Sequence, residues 1–329
     1  MWTLKEEVSR IEIGRSSQFR NLTLYPLFPR NTPRGDLDYI LLEDAIAQGK
    51  VQITELPSGG SVPELSFTNW AELPVLLVDG EELVGAKQNR VLNLTILVPA
   101  KQTIVIPVSC VEAGRWDMVN SALKPSGHVM YMGLRGKRVS QVSQSIRFTG
   151  SRSSDQAALW KDIADKSERL GVASPTRAMS AIYEQHANFV EEFARAFTWQ
   201  TGQIGTAFAM GGDIVGLDVF DHPEVMRRFH SKLVRSYALD VKDAARDSAG
   251  QTTVDSLTRF LAGIGDAQSS SEQALGLGKD VRFLAPQLCG AALWAQERYV
   301  HICAFAQAGN QKASSFWTRI SRPSQRRRF

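Results

Sequence analysis

Between Val62 and Val111 the chain runs through short apolar stretches separated by turns, with no room for a helix between them. Glu64-Leu65-Ser66-Phe67-Thr68 alternates and Asn69 to Glu72 turns. Pro74 to Val78 is an apolar run closed by Asp79-Gly80. Val91 to Val98 alternates in part, Pro99 and Ala100 turn, and Thr103 to Val108 alternates again. Parallel neighbours need crossovers of roughly a dozen residues or more. The strands are therefore expected to pair antiparallel, in a sandwich-like or barrel-like sheet.

The flanking segments are read in the same way. Residues 20–30 predict a strand broken by Pro26 and Pro29. Asp36 caps a helix ending at Gly49, and Val51 to Leu56 is a strand followed by a Pro-Ser-Gly-Gly turn. Residues 120–150 are rich in Gly, Ser and basic side chains, with little periodicity. From Ser153 a helix carries Leu159, Ile163 and Leu170. A second helix, from Thr176 to Phe197, carries a stripe of Met179, Ile182, His186, Phe189, Phe193 and Phe197. Residues 204–210 and 214–220 form a hairpin across Gly211-Gly212-Asp213. Asp221 to Pro223 opens a helix with Val225, Phe229, Leu233, Tyr237 and Val241 on one face. A shorter helix covers Thr253 to Ile264, Ala267 to Ser271 is a loop, and strands follow at Asp280–Leu284, Cys289–Trp294 and Tyr299–Phe305. The fold class is therefore α+β. An antiparallel β-sandwich-like region spans residues 1–125. An antiparallel sheet packed with helices spans 126–308 and is continuous with the first part, since no long linker divides them. A disordered basic tail covers 309–329.

Composition narrows the function. With 43% hydrophobic residues the chain of 329 holds a substantial core. No stretch approaches 18 consecutive apolar residues, so no membrane span is expected. The first ten residues lack the apolar core of a secretory signal. Cys110, Cys289 and Cys303 are too few and too widely spaced for a disulfide scaffold or a four-thiolate zinc site, which fits a reducing, cytoplasmic setting. The net charge of +4 is concentrated at one end. Residues 311–329 carry six basic side chains and no acidic one, so the rest of the chain is near −2. The folded body is thus not expected to bind nucleic acid. The tail is a solubilising end or a contact for an anionic surface.

Familiar motifs are missing. There is no phosphate-binding loop, dinucleotide fingerprint or His-Glu-x-x-His, and Ser109-Cys110 sits in no nucleophile elbow. His222 and His230 could share a helical face with Asp218 or Asp221 about a metal, but no metal site or cofactor is assigned. His186, on an apolar stripe, reads as a hydrogen-bonded core histidine. Two polar segments stand out because each follows an apolar strand: Asp79 to Arg90, and Ser109 to Trp116. Were those strands neighbours, the segments would meet at one edge. Arg90 and Arg115 offer planar forks for phosphate or carboxylate, with Lys87 beside them. Glu82 and Glu112 are candidate acid–base groups, and Cys110 is a candidate nucleophile if its pKa is lowered. Gln88 and Asn89 can orient a ligand, and Trp116 can stack on a ring. The same residues can equally brace loops or form a partner surface. A second candidate cluster comprises Asp213, Asp218, Lys232, Arg235, Ser236 and Tyr237. There the cations bind an anion or pair with Asp240 and Asp218.

The run from Pro74 to Trp116 resembles a bacterial domain family associated with ADP-ribosylglycohydrolases and rhodanese-phosphatases. It contains Asp79-Gly80-Glu81-Glu82, Gly85-Ala86-Lys87-Gln88-Asn89-Arg90 and Cys110-Val111-Glu112-Ala113-Gly114-Arg115-Trp116. Gly212 to Phe220, Lys232 to Ala238 and Gly276 to Phe305 are similar to that family as well, so the resemblance covers most of residues 15–306. It implies a role near NAD or ADP-ribose metabolism and brings no catalytic residues with it. The expected function is binding, with or without hydrolytic processing, of an ADP-ribose-like or other phosphorylated small molecule, a nucleotide-related partner. The alternatives are a non-enzymatic scaffold or protein-interaction module, and a metal-dependent hydrolase.

Overall fold

The computed structural model describes residues 2–30, 35–56, 61–118, 120, 122–244 and 252–307. The turn expected at 57–60 and the tail at 309–329 lie outside the described residues. In chain order the first elements are α1 (Leu4–Val8), β1 (Ile11–Ile13), β2 (Ser17–Phe19), β3 (Leu22–Pro29), β4 (Ile40–Leu41), α2 (Leu42–Ala47), β5 (Val51–Thr54) and β6 (Glu64–Asn69). Next come β7 (Val75–Leu77), β8 (Glu81–Gly85), β9 (Arg90–Leu92), β10 (Ile96–Val98), β11 (Thr103–Cys110) and β12 (Leu123–Val129). The helices α3 (Met132–Thr149), α4 (Gln156–Leu170), α5 (Ser180–Gln185) and α6 (Ala187–Ala196) follow. The chain continues through β13 (Gly205–Met210), β14 (Asp213–Phe220), α7 (Pro223–Asp243), α8 (Val254–Gly265), β15 (Gln268–Gln273), β16 (Lys279–Ala285), β17 (Leu288–Ala295) and β18 (Arg298–Ala306).

The fold is α+β with antiparallel sheets. The largest is a nine-stranded sheet in the order β1-β3-β13-β14-β18-β17-β16-β15, with β2 also paired to β3. Strands from the N-terminal segment and from the second half thus share one sheet: Leu27 pairs with Gly205 and Leu22 with Met210. A six-stranded sheet runs β12-β8-β9-β11-β6-β5, and a three-stranded sheet runs β10-β7-β4. All pairings are antiparallel except β4 with β7.

The apolar faces explain the layering. On one side of the nine-stranded sheet Leu217, Val219, Phe283 and Ile302 pack with Leu4 of α1 and Leu257, Leu261 and Ile264 of α8. On the other side Phe208, Val215, Cys289 and Phe305 pack with α3 and α7. A third core, with Leu65, Phe67, Leu83, Leu92, Ile106 and Val108, lies between the six-stranded and three-stranded sheets and takes in Val142 and Ile146 of α3. Helix α3 therefore touches both the large sheet and the smaller ones. At Gly216 a Cβ would come within 2.5 Å of the Tyr237 hydroxyl oxygen, so only glycine lets α7 approach the sheet this closely.

Several expectations need correction. The described residues of 120–150 are not irregular: most of them form β12 and the 18-residue α3. The buried residues of α3 include Arg135 and Arg138 beside Leu134, Val139, Val142 and Ile146, so the interior surface of this helix is partly charged. That dilutes the hydrophobic period by which an amphipathic helix is recognised. The long helix expected from Thr176 is two helices meeting at His186. The helix expected from Asp36 is shortened by a strand at Ile40–Leu41. The loop expected at Ala267–Ser271 is largely β15, whose residues are all exposed, so burial leaves no pattern in its sequence. No helix among the described residues is long and apolar enough to cross a membrane.

Candidate functional site

Strand pairing decides which polar residues meet. Arg90 lies opposite Leu83 in β8 and opposite Cys110 in β11, whereas Glu82 lies opposite Val91, which lies opposite Ser109. Because alternate residues of a strand point to opposite faces, Arg90 and Cys110 share one face and Glu82 takes the other. The turn from Gly85 to Asn89 brings Lys87, Gln88 and Asn89 to the Arg90 side. The segment after β11 brings Glu112, Arg115 and Trp116 against them. The strands that the two segments follow, β7 and β11, lie in different sheets and are not neighbours; the segments meet instead because β9, at the end of the first, pairs with β11.

Within this cluster Arg90 is fully buried. Its Nη1 donates to Gln88 Oε1 at 3.0 Å, while Nη2 lies 3.8 Å from Glu55 Oε1. Arg90 Nε and Nη2 and Glu55 Oε2 are all buried without a hydrogen-bond partner. Burial lowers the Arg90 pKa, opposed by Cys110 and Glu55. The Trp116 indole, 45% exposed, lies against this guanidinium, with its ring centroid 5.8 Å from Arg90 Cζ and 4.9 Å from Lys87 Nζ.

The neighbouring groups are more firmly tied. Arg115 donates to Ala86 O at 2.7 Å, Asp117 O at 2.9 Å, Asn89 Oδ1 at 3.2 Å and Glu112 Oε2 at 2.7 Å. It therefore braces the two segments against each other. Burial works to raise the Glu112 pKa, but hydrogen bonds from Arg115, Thr176 and the Asn89 N–H outweigh it and hold the carboxyl below its usual range. Gln88 donates to Glu112 O at 3.0 Å. The Cys110 thiol donates to Gln88 Oε1 at 3.1 Å, and burial pushes its pKa up, so the group stays a neutral thiol at pH 7.

Glu82, on the opposite face, has its own surroundings. Its Oε2 accepts a 2.8 Å hydrogen bond from Ser126 Oγ, and its Oε1 is buried without a partner. Burial pushes its pKa up to about 8, with the charges of Glu184 and Glu112 adding to the Ser126-opposed rise. Ser126 belongs to a bulge of β12 between Pro125 and Val129. The adjacent His128 stacks on Tyr183 with ring centroids 4.3 Å apart, and burial pulls its pKa down to about 4.

The second cluster disperses. Lys232 pairs with Glu43 at 2.7 Å and Glu81 at 3.4 Å, and Arg235 pairs with Glu191 at 2.6 Å, not with Asp240 or Asp218. Ser236 Oγ donates to Leu233 O, Asp213 is exposed at the hairpin, and the Tyr237 ring stacks on Phe208. His222 caps α7, and His230 is buried with its pKa near 4. His186 is half-buried at the junction of α5 and α6, with its Nε2 unpartnered. Among the described residues no three potential metal-ligating side chains gather.

Sequence reasoning missed a sealed charge network. Asp79 receives hydrogen bonds from Arg135 Nε and Arg138 Nη2, both at 2.8 Å. Arg135 also grips Asp218 through Nη1 at 3.0 Å and Nη2 at 2.6 Å, and the His301 ring bridges Asp218 and Thr95. Next to Asp79, Gly80 has φ +85°, donates its N–H to Leu92 O and accepts from Met130 N–H. The arginines sit four residues or fewer apart in α3, but their partners come from distant parts of the chain, so spacing alone could not find them.

No curated protein and no solved structure matches the chain. A family model does: the ARPP-1 domain, described as ARG and Rhodanese-Phosphatase-superfamily-associated Protein domain, matches residues 10–305. The match spans β1 to β18 and includes both polar segments, the charge network and the Glu82 bulge, so the chain belongs to the ARPP-1 family.

Proposed function

We propose that the protein binds a phosphorylated, nucleotide-related small molecule such as ADP-ribose at the Arg90–Trp116 cluster. The carrying observation is the Arg90 guanidinium, buried with two nitrogens that have no hydrogen-bond partner. An unsatisfied buried donor is costly, and for a charged group more so. A phosphate oxygen supplies the acceptors that Arg90 lacks, and its planar fork suits that geometry. Trp116 stacks on a base or sugar face after turning aside, Lys87 adds positive charge, and Gln88 and Asn89 orient the ligand. Arg115 acts by holding the two segments together. The family's association with rhodanese-phosphatases supports small-molecule binding or processing as the broad class.

In this reading any hydrolytic step falls to Glu112, the ionised carboxylate on the Arg90 side. Glu82 faces elsewhere, and Cys110 as a neutral thiol is not cast as a nucleophile. A second reading, a protein-interaction surface, is favoured by the exposure of Met118 together with Trp116 on one segment. Calorimetric titration with ADP-ribose, AMP and ribose 5-phosphate separates the two. Binding weakened at least tenfold in both Arg90→Lys and Trp116→Ala supports the first. No binding of any of the three to the wild-type protein defeats it.

A further inference from the structure

A cavity of about 550 Å³ opens between the C-terminal half of α3 and the β15–β17 edge of the nine-stranded sheet. This volume lies within the range of small-molecule sites. Its residues are distinct from those of the Arg90–Trp116 cluster. The helix contributes Ser140, Ser143, Gln144 and Arg147, and the sheet contributes Ser269, Ser270 and Arg282. Phe148, 77% exposed, and Leu284, 49% exposed, also line it, giving it apolar flanks on both the helix and the sheet side.

Arg282 is the distinctive group. It is only 6% exposed, and its Nε and Nη2 form a fork on Asp280 of the same strand at 2.8 and 2.9 Å. The third nitrogen, Nη1, is buried with no hydrogen-bond partner. Asp280 offsets the charge of Arg282 but leaves that donor unmet. The sheet wall is unusual as well. β15 reads Gln268-Ser269-Ser270-Ser271-Glu272-Gln273, a run of hydroxyls, amides and one carboxylate in place of the β-branched and aromatic residues that favour strands. Its composition is better suited to presenting hydroxyls than to stabilising a sheet.

We infer that this cavity is a second ligand site, taking a small hydroxylated molecule that bears one oxyanion, a sugar phosphate or a sugar acid. Arg282 Nη1 meets the oxyanion, with Arg147 adding positive charge. Ser140, Ser143, Ser270 and Gln144 exchange hydrogen bonds with the hydroxyls, and Phe148 and Leu284 cover the apolar face of the ring. The chemistry is shared by phosphate and carboxylate, so both are probed.

The test titrates ribose 5-phosphate and, separately, glucuronate into the full chain, read by saturation-transfer NMR and calorimetry, with inorganic phosphate as a third arm. Ser143→Trp fills the cavity; the Ser143 hydroxyl bonds only to Val139 O of its own helix, so no contact between elements is removed. Arg282→Lys keeps a cation beside Asp280 and removes Nη1. Binding of at least one sugar, weakened tenfold or more in Ser143→Trp and in Arg282→Lys and retained in Arg90→Lys, supports the site. The stronger sugar identifies the oxyanion. Three results overturn the inference: neither sugar binds the wild-type protein, inorganic phosphate binds as tightly as either sugar, or binding persists in a folded Ser143→Trp protein. Loss in Arg90→Lys with retention in Ser143→Trp assigns the ligand to the Trp116 cluster instead, and leaves that reading standing while this one falls.

Discussion

Among the described residues two regions bury arginine completely, and they differ in how fully its donors are met. Around Asp79 and Asp218, Arg135 spends Nε, Nη1 and Nη2 on carboxylate oxygens, and Arg138 adds Asp79 and Leu92 O. Although burial works to raise both aspartates, the arginines outweigh it and lower their pKa. At Arg90 the fit is loose: one good hydrogen bond to Gln88, a carboxylate at 3.8 Å, and two nitrogens unmet. All three side chains are closed off from solvent, so exposure does not separate the tight network from the loose one. What differs is how far the donors are met: Arg135 leaves no nitrogen without a partner and Arg138 only Nε, whereas Arg90 leaves Nε and Nη2.

The comparison breaks most visibly at Asp218. Replacing it by Ala leaves Arg135 without two of its hydrogen bonds in a dry interior, and stability should fall by about 3–5 kcal/mol in urea unfolding. A loss under 1 kcal/mol would mean the network is not what locks α3 to the sheet. Next in size is a pH effect at Glu82, whose folded pKa of about 8 lies above its ordinary value of 4.5. The folded state holds that proton more tightly, so the contribution is complete below about pH 4.5 and disappears as pH rises through 8. Wild-type stability should therefore drop between pH 5 and pH 9 by roughly 4 kcal/mol more than that of Glu82→Gln. Parallel pH profiles for the two proteins would remove Glu82 as the cause.

Smaller still is the double change Arg90→Met with Glu55→Gln, which removes both members of the loose pair. It should shift stability by about 1 kcal/mol or less, because a poorly satisfied pair contributes little that an apolar side chain cannot replace. A cost equal to that of Asp218→Ala would erase the contrast between the regions. Least of all, Cys110 should resist iodoacetamide at pH 7.5 in the folded protein and react only after unfolding, since its thiol is buried and its pKa raised. Rapid native labelling, followed by mass spectrometry, would restore it as a nucleophile.

Much of this architecture was legible in the residues. The turns at Asn69–Glu72 and Pro99-Ala100 left no length for crossovers, so antiparallel pairing followed; the meeting of the Gln88 and Glu112 segments did not, because it rests on β9 lying beside β11 while β7 lies in another sheet. Glu82 was misassigned to that meeting because its face depends on register. A shift of one residue reverses which side a strand residue occupies, and the Gly85–Asn89 turn that sets the register has Gly85 and Ala86 at positive φ, which no alternation reveals. Helix α3 was unreadable for a different reason. Two of its interior residues are arginines whose carboxylate partners lie 56 to 83 positions away, and hydropathy assigns such side chains to solvent. β15 was unreadable because pairing with β16 is through the backbone and leaves its side chains unconstrained.

The Asp79-Gly80 corner sets the origin from which the Arg90 hairpin is measured. A methyl group at position 80 would meet Arg135 Nε at 2.9 Å, on a backbone already at φ +85°. Any side chain there pries the clamp open and lets β8 start in the wrong place. Every position from Glu81 to Arg90 then inherits the error. A substitution at Gly80 would thus displace the Arg90–Trp116 cluster while touching none of its groups.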